Sequence, residues 1–363
     1  MPAMLDVNGL MKHFPITRGF PKRTVGWLKA VDGVDLTMQA GETLGLVGES
    51  GCGKSTLGKT VLGLYQPTAG TVCFQGQVIS GVSKTTARQV RRELQYVYQD
   101  PGASLNPWWT VGWSLREPLR VHTQLSRQEI TARVEEMSTA VGLAPEHLQR
   151  YPHEFSGGQQ RRLALARILV LQPRLVIFDE PTAGLDVSVQ ATILRLLQEL
   201  KERFALTYLF ISHDLGIVRL MCDRVTVMYL GNIVETGPTE TIFQAPAHPY
   251  TQALLAAVPK PEIGPWHGTL LQSEPPRPDA LPSGCRFRLR CPYAQDDPCA
   301  QSEPTLQEIA PGHRVACHFA PHTDGFVSGR VASLHSCETS AAAHGRVGCG
   351  RCREERPRRQ RYS

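Results

Sequence analysis

At 363 residues the chain exceeds one typical domain, and with 41% hydrophobic and 20% charged residues it has the composition of an ordinary globular protein able to bury a sizeable core. No run approaches the 18 or more uninterrupted apolar residues of a membrane-spanning helix, and Met1 to Phe14 lacks the form of a signal peptide, so the expectation is a protein that does not itself cross a membrane. The net charge of +6 excludes little: residues 326–363 hold eight Arg and three Glu, a surplus of +5, and the remaining +1 gives no electrostatic argument for nucleic acid.

Met4 to Leu10 reads as a first strand, followed by Lys12-His13-Phe14-Pro15 and a polar stretch to Lys29. Val31 to Met38 then alternates as a half-buried strand does. By spacing alone Phe14 is an ordinary core aromatic; its other reading is a ring that stacks on a purine base. Apolar Leu44 to Val47 leads into Gly48-Glu49-Ser50-Gly51-Cys52-Gly53-Lys54-Ser55-Thr56, a phosphate loop between a strand and a helix. The glycines let successive N–H groups turn inward toward phosphate oxygens, and the helix N-terminus adds partial positive charge. Lys54 then reaches the outer phosphates and the Ser55 hydroxyl is placed to hold Mg2+.

Thr71 to Gly76 and Gln77 to Ile79 read as a short hairpin. Leu94 to Tyr98 is a compact strand ending at Gln99, which can reach Mg2+ or an attacking water. Residues 101 to about 172, punctuated by Pro107, Pro118, Pro145 and Pro152, read as a helical insertion into an α/β frame. It closes on Phe155-Ser156-Gly157-Gly158-Gln159 before an amphipathic helix, Arg161 to Leu171, and a Ser-Gly-Gly opening a helix can serve as a second anion-binding terminus. Leu175 to Phe178 is the short apolar run of a buried parallel strand, and it ends in Asp179-Glu180, where α/β folds bind ligands. Asp179 suits the Mg2+ hydration shell, and Glu180 is placed to orient or deprotonate a water aimed at the terminal phosphoryl group. After the turn Pro181 to Asp186 and a helix from Val189 to Phe204, the strand Leu206 to Ile211 delivers His213 to a strand end, where it can contact a γ-phosphate. Val225 to Tyr229 and Asn232 to Glu235 form a closing hairpin.

Taken in order, the phosphate loop, Gln99, Ser156 to Gln159, Asp179-Glu180, the Gly184-Leu185-Asp186 turn and His213 resemble the ATPase domain of ABC proteins over residues 4 to about 245. The resemblance implies an α/β P-loop NTPase fold with a helical insertion and a β-subdomain, plus a small Cys-rich C-terminal extension. It implies ATP and Mg2+ as ligands, Glu180, His213, Gln99 and Lys54 as catalytic residues, and Phe14 as the base-stacking ring. It further implies a pair of such domains, each ATP closed between the phosphate loop of one and the Ser156–Gln159 signature of the other. His248-Pro249-Tyr250-Thr251-Gln252-Ala253-Leu254-Leu255 and the Pro-rich stretch after it look like the C-terminal region of oligopeptide and dipeptide importer ATPases. Lys12 to Pro15 and Ala30 to Val34 lean toward the second of the two paired ATPases in those systems. The implied partners are the other ATPase of such a pair, as a heterodimer, two transmembrane permease subunits and an extracytoplasmic solute-binding protein, with the chain on the cytoplasmic face of the cell membrane.

The domain reading is therefore an ATPase domain over 1–258, a Pro-rich linker over 259–284, a Cys-rich metal-binding extension over 285–320 and a disordered basic tail over 321–363. Of the ten cysteines, Cys285, Cys291, Cys299 and Cys317 cluster, separated by five, seven and seventeen residues. Four thiolates suit tetrahedral zinc or a 4Fe-4S cluster, and this spacing fits neither zinc ribbons nor bacterial ferredoxins. Similarity of Gly284 to His318 to the peptide-importer segment implies 4Fe-4S. The competing function is a soluble ABC ATPase acting on DNA or ribosomes, which would add coiled-coil or zinc modules absent from this sequence. Nickel or glutathione-like solutes are the competing cargoes.

Overall fold

The computed structural model describes residues 3–19, 23–99, 105–258, 274–277 and 280–320. The start of the expected helical insertion, most of the expected linker and the whole of the expected tail lie outside the described residues.

Strand β1 (Leu5–Arg18) pairs antiparallel with β2 (Arg23–Met38) and with β4 (Ala69–Phe74), which in turn pairs with β5 (Gln77–Val78). Together they form a four-stranded antiparallel sheet in the order β2-β1-β4-β5. The sequence suggested that the first strand stops at Leu10. Instead it runs to Arg18, because the register shifts between Val7 and Leu10 around Gly9 (φ 53), a bulge that bends the strand without ending its pairing.

The second sheet is built on β3 (Thr43–Val47), β6 (Leu94–Val97), β7 (Leu175–Asp179) and β8 (Thr207–Ile211), which lie side by side and parallel in the order β3-β8-β7-β6. Helices α1 (Lys54–Val61), α2 (Lys84–Glu93), α3 (Val111–His122), α4 (Arg127–Ala140), α5 (Gly157–Leu169), α6 (Val187–Phe204) and α7 (Leu215–Met221) lie between and around these strands in the chain. Alternation along a strand gives each face its own core. Val176, Phe178, Tyr208 and Phe210 pack with the helices α3 to α6, while Leu175, Ile177, Leu209 and Ile211 pack with α1 and the antiparallel sheet. Each fully buried apolar side chain of this kind contributes about 1.5–3 kcal/mol. Helix α2 was not expected. Its Ser83 cap accepts the Thr86 N–H, but Lys84–Glu93 has almost no apolar residues, so no hydrophobic period announces it.

Strand β9 (Arg224–Tyr229) runs parallel to β3 on its other side, and β10 (Asn232–Pro238) folds back against β9. Helices α8 (Thr239–Gln244) and α9 (Pro249–Ala256) follow. The sheet does not close on that hairpin, as the sequence suggested: β12 (His313–Val315) pairs with β10, and β11 (Gln307–Ala310) pairs with β12, giving eight strands in the order β11-β12-β10-β9-β3-β8-β7-β6.

Candidate nucleotide site

The loop between β3 and α1 curls because its glycines accept backbone angles that other residues resist: Gly48 has φ 153 and Gly53 φ 113. Close approach matters as much as angle. A Cβ on Gly48 would stand 2.2 Å from the Met228 carbonyl oxygen, and one on Gly53 would stand 2.1 Å from that of Ala30. Lys54, 5% exposed, reaches back into the curl and donates from Nζ to the Gly48 and Glu49 carbonyl oxygens at 2.8 and 2.9 Å. Its third neighbour is the Cys52 sulfur at 3.7 Å, a buried thiol whose pKa burial raises.

A cavity of about 330 Å³ opens over this loop. Phe14, Lys29, Leu230, the stretch Ser50 to Thr56, Gln99 and Glu180 line it. Phe14 is half-buried at the rim, edge-on to Tyr65 with ring centres 5.5 Å apart and with Lys12 Nζ 4.9 Å from its ring centre. Gly48 and Glu49 form the floor of the curl through their carbonyl groups.

The strand ends supply the remaining groups. Ser55 Oγ donates to Asp179 Oδ1 at 2.8 Å, and the Tyr96 hydroxyl, whose pKa is raised by burial and by Asp179, donates to Oδ2 at 2.6 Å. Tyr96 was not foreseen, because an apolar strand run gives no sign of which ring carries a hydroxyl to a neighbour. Next to Asp179, Glu180 is held at φ 52, a left-handed conformation that costs a non-glycine residue of order 1 kcal/mol. Its N–H donates to the Ile211 carbonyl oxygen at 2.9 Å, tying β7 to β8 at that bend. Gln99 Nε2 donates to one Glu180 oxygen at 3.3 Å, and His213 Nδ1 lies 3.0 Å from the other. Thus Lys54, Gln99, Asp179, Glu180 and His213 all gather at the carboxyl ends of four adjacent parallel strands.

Ser156 to Gln159 lie elsewhere. Ser156 caps α5 in a reciprocal box, its N–H donating to Gln159 Oε1 at 3.0 Å while the Gln159 N–H reaches Ser156 Oγ at 3.4 Å. Ser156 and Gly157 are exposed, and none of the four lines the cavity of the same chain.

The expectation of a 4Fe-4S cluster on Cys285, Cys291, Cys299 and Cys317, or of zinc, is not supported. All four are free thiols, and among the described residues no group of three or more His, Cys, Asp or Glu side chains is placed to hold a metal ion. Burial raises the Cys285 and Cys317 thiols and pushes Cys291 up to about 11. They pack as small apolar groups: Cys285 and Cys291 lie against the main core, and Cys317 beside Ile309, Val315 and Ala320.

The phosphate loop, the strand-end carboxylates and the capped α5 on one α/β frame define an ATP-binding cassette. Residues 31–183 match the model of the ABC transporter family, and residues 234–299 match the C-terminal region of oligopeptide/dipeptide transporters. The oligopeptide transport ATP-binding protein AppF of Bacillus subtilis is 49% identical over 321 residues, 87% of this chain and 97% of that protein. The di/tripeptide transport ATP-binding protein DppF of Pseudomonas aeruginosa is 46% identical over 321 residues, 88% and 98% of the two chains. Among solved structures, cbiO1 of Clostridium perfringens, part of the ABC transporter complex cbiONQ, superposes with a TM-score of 0.59 at 29% identity over 68% of this chain and 92% of its own. The dimeric post-hydrolysis cassette MJ0796 bound to ADP and Pi gives 0.58 at 26% identity over 65% and 99%. The chain belongs to the family of ATP-binding subunits of oligopeptide/dipeptide ABC transporters.

Proposed function

We propose that the chain hydrolyses ATP to energise import of di- or oligopeptides, as a peripheral subunit on the cytoplasmic face of the cell membrane. The observation that carries this reading is the gathering of Lys54, Gln99, Asp179, Glu180 and His213 at four adjacent strand ends, with Lys54, Gln99 and Glu180 lining one cavity. Peptide as cargo follows the oligopeptide and di/tripeptide transport proteins that the chain is similar to, and among the described residues no helix is long and apolar enough to cross a membrane.

In this reading Phe14 stacks on the base, the N–H groups of Gly48 to Thr56 and Lys54 Nζ hold the phosphates, and Glu180 takes a proton from the attacking water at a carboxylate oxygen. Gln99 orients that water, and His213 contacts the γ-phosphate and holds Glu180 in place. The donor set fits Mg2+: the Ser55 hydroxyl and Asp179 carboxylate already meet at 2.8 Å, a hard oxygen pair beside the phosphate loop, with Gln99 nearby. When bound there, Mg2+ would neutralise charge that develops on the phosphate oxygens.

Ser156 to Gln159 would close over the nucleotide of a second ATPase subunit, since Ser156 and Gly157 are exposed and none of the four lines their own chain's cavity. Two permease subunits would dock beside Gln99, where a cavity of about 340 Å³ lined by Tyr98, Glu117, Pro118 and His122 adjoins its strand. An extracytoplasmic binding protein would deliver the peptide. The test is phosphate release by the chain reconstituted with its permeases in vesicles. Peptide-loaded binding protein should stimulate turnover and drive peptide uptake; turnover indifferent to peptide, or retrieval of ribosomes or DNA instead of permeases, would sink the proposal.

A further inference from the structure

Arg290 lies in the C-terminal extension, 241 positions along the chain from Glu49, yet its guanidinium forks onto that carboxylate. Nη1 donates to Oε2 at 2.7 Å and Nη2 to Oε1 at 2.9 Å, the two-bond geometry that arginine alone among cations provides. The Arg290 side chain is 4% exposed, its Nε has no partner, and its remaining polar neighbour is the Tyr229 hydroxyl at 3.5 Å, so the fork is its main anchorage. Glu49 is also the one acidic residue of the phosphate loop, and its N–H is held by the Tyr250 hydroxyl at 2.8 Å. Tyr250 in turn packs on Phe287 of the extension, with ring centres 5.5 Å apart.

Arg286, on the preceding turn and 8% exposed, holds the other wall of the cavity. It donates from Nη2 to Asp32 Oδ2 at 2.6 Å, from Nη1 to the Leu230 carbonyl oxygen at 2.7 Å and from Nε to Glu303 at 2.7 Å. Asp32 also takes His13 at 2.7 Å and Lys29 at 3.2 Å, and Lys29 and Leu230 line the cavity together with Phe14. The extension therefore grips the phosphate side through Arg290 and the base side through Arg286.

We infer that the C-terminal extension is a working part of the nucleotide site, with Arg290 as a positioning residue that neutralises Glu49 and fixes the phosphate loop in its binding shape. The inference rests on the reading of the cavity as an ATP site. Without Arg290, the Glu49 carboxylate stands uncompensated in a loop that must receive a triphosphate, and like charges at this range repel. Removing that carboxylate as well should relieve the repulsion, a recovery that a merely structural role for Arg290 would not produce.

The measurement is calorimetric binding of AMP-PNP with Mg2+ to the full chain, with ATP turnover measured alongside. Arg290→Met, which keeps the bulk of the buried stem, is expected to weaken binding about tenfold and to raise KM with kcat within about twofold; Arg290→Met with Glu49→Gln should bind within about threefold of wild type. A single variant that binds like wild type, or a double variant as weak as the single, overturns the inference. If the wild-type chain itself does not bind, the ATP-site reading falls and takes the inference with it. Should Arg290→Met not fold, hydrogen exchange on the wild-type chain decides. AMP-PNP is expected to slow exchange of the Arg288, Arg290 and Ala294 amides, which bond within the extension, and unchanged exchange there overturns the inference.

Discussion

Glu180 and Glu235 stand in the same sheet and carry the same carboxylate, but their surroundings differ. Glu235 on β10 is fully buried and closed by protein donors: the Ala247 and His248 N–H groups at 2.7 and 3.0 Å and His313 Nε2 at 2.7 Å. Glu180 at the end of β7 is 22% exposed, sits at a strained φ, and is touched by two side chains, one of them the largely exposed His213. A carboxylate saturated by the protein holds elements together, whereas one left with open lone pairs at a cavity wall is available to a proton.

Substitutions should separate the two roles, beginning with the largest effect. Glu180→Gln is expected to lower phosphate release by about 10²–10⁴-fold while leaving nucleotide binding and thermal stability near wild type. Retained turnover would erase the contrast by removing Glu180 from the chemistry.

His248 carries the second contrast, through pH. It caps α9 by accepting the Tyr250 N–H on Nδ1 at 3.0 Å, and burial lowers its pKa to about 4. A group neutral in the folded chain but protonated in the unfolded chain below about 6.5 makes stability fall as pH drops from about 6.5 toward 4, by up to about 3 kcal/mol. Urea unfolding across that window should show the decline in wild type, and His248→Asn should flatten it; an equal slope in both would assign the acid sensitivity elsewhere.

Glu235→Gln should do the opposite of Glu180→Gln. An amide in place of the carboxylate turns a donor toward N–H groups that need an acceptor, so about 2–3 kcal/mol of stability is expected to go, with turnover per folded molecule unchanged. Denaturant midpoints and activity normalised to folded protein measure the two effects separately. The smallest effect belongs to the exposed signature. Ser156→Ala should remove about 1 kcal/mol of capping energy and leave nucleotide binding by the isolated chain unaltered, while turnover in the paired assembly drops. An equal loss in the isolated chain would mean that the signature serves its own cavity.

The placement of Lys54, Asp179, Glu180 and His213 at strand ends was legible because each follows directly on a short apolar run or its turn. The parallel strands were legible as short apolar runs, with ends within a residue or two. What escaped had no local signature. Tyr96 shares its strand with ordinary core residues, α2 has almost no apolar residues to set a period, and β11 and β12 are four and three residues long. Arg286 and Arg290 act on residues 254 and 241 positions away, a pairing that only the folded chain reveals. The cysteines show the same limit: their number and spacing are legible, but a metal held by them is not supported by the folded arrangement among the described residues.

The strands added after the cassette also govern how the sheet meets other chains. With β12 on β10, the ladder of buried Glu235 and Thr236 is no longer an open border; the border is β11, four residues long, with Gln307 and Glu308 exposed. A short, charged border is a poor template for a foreign strand. A chain cut before Gln307 would present β10 itself, so its first symptom should be clumping as it emerges from synthesis.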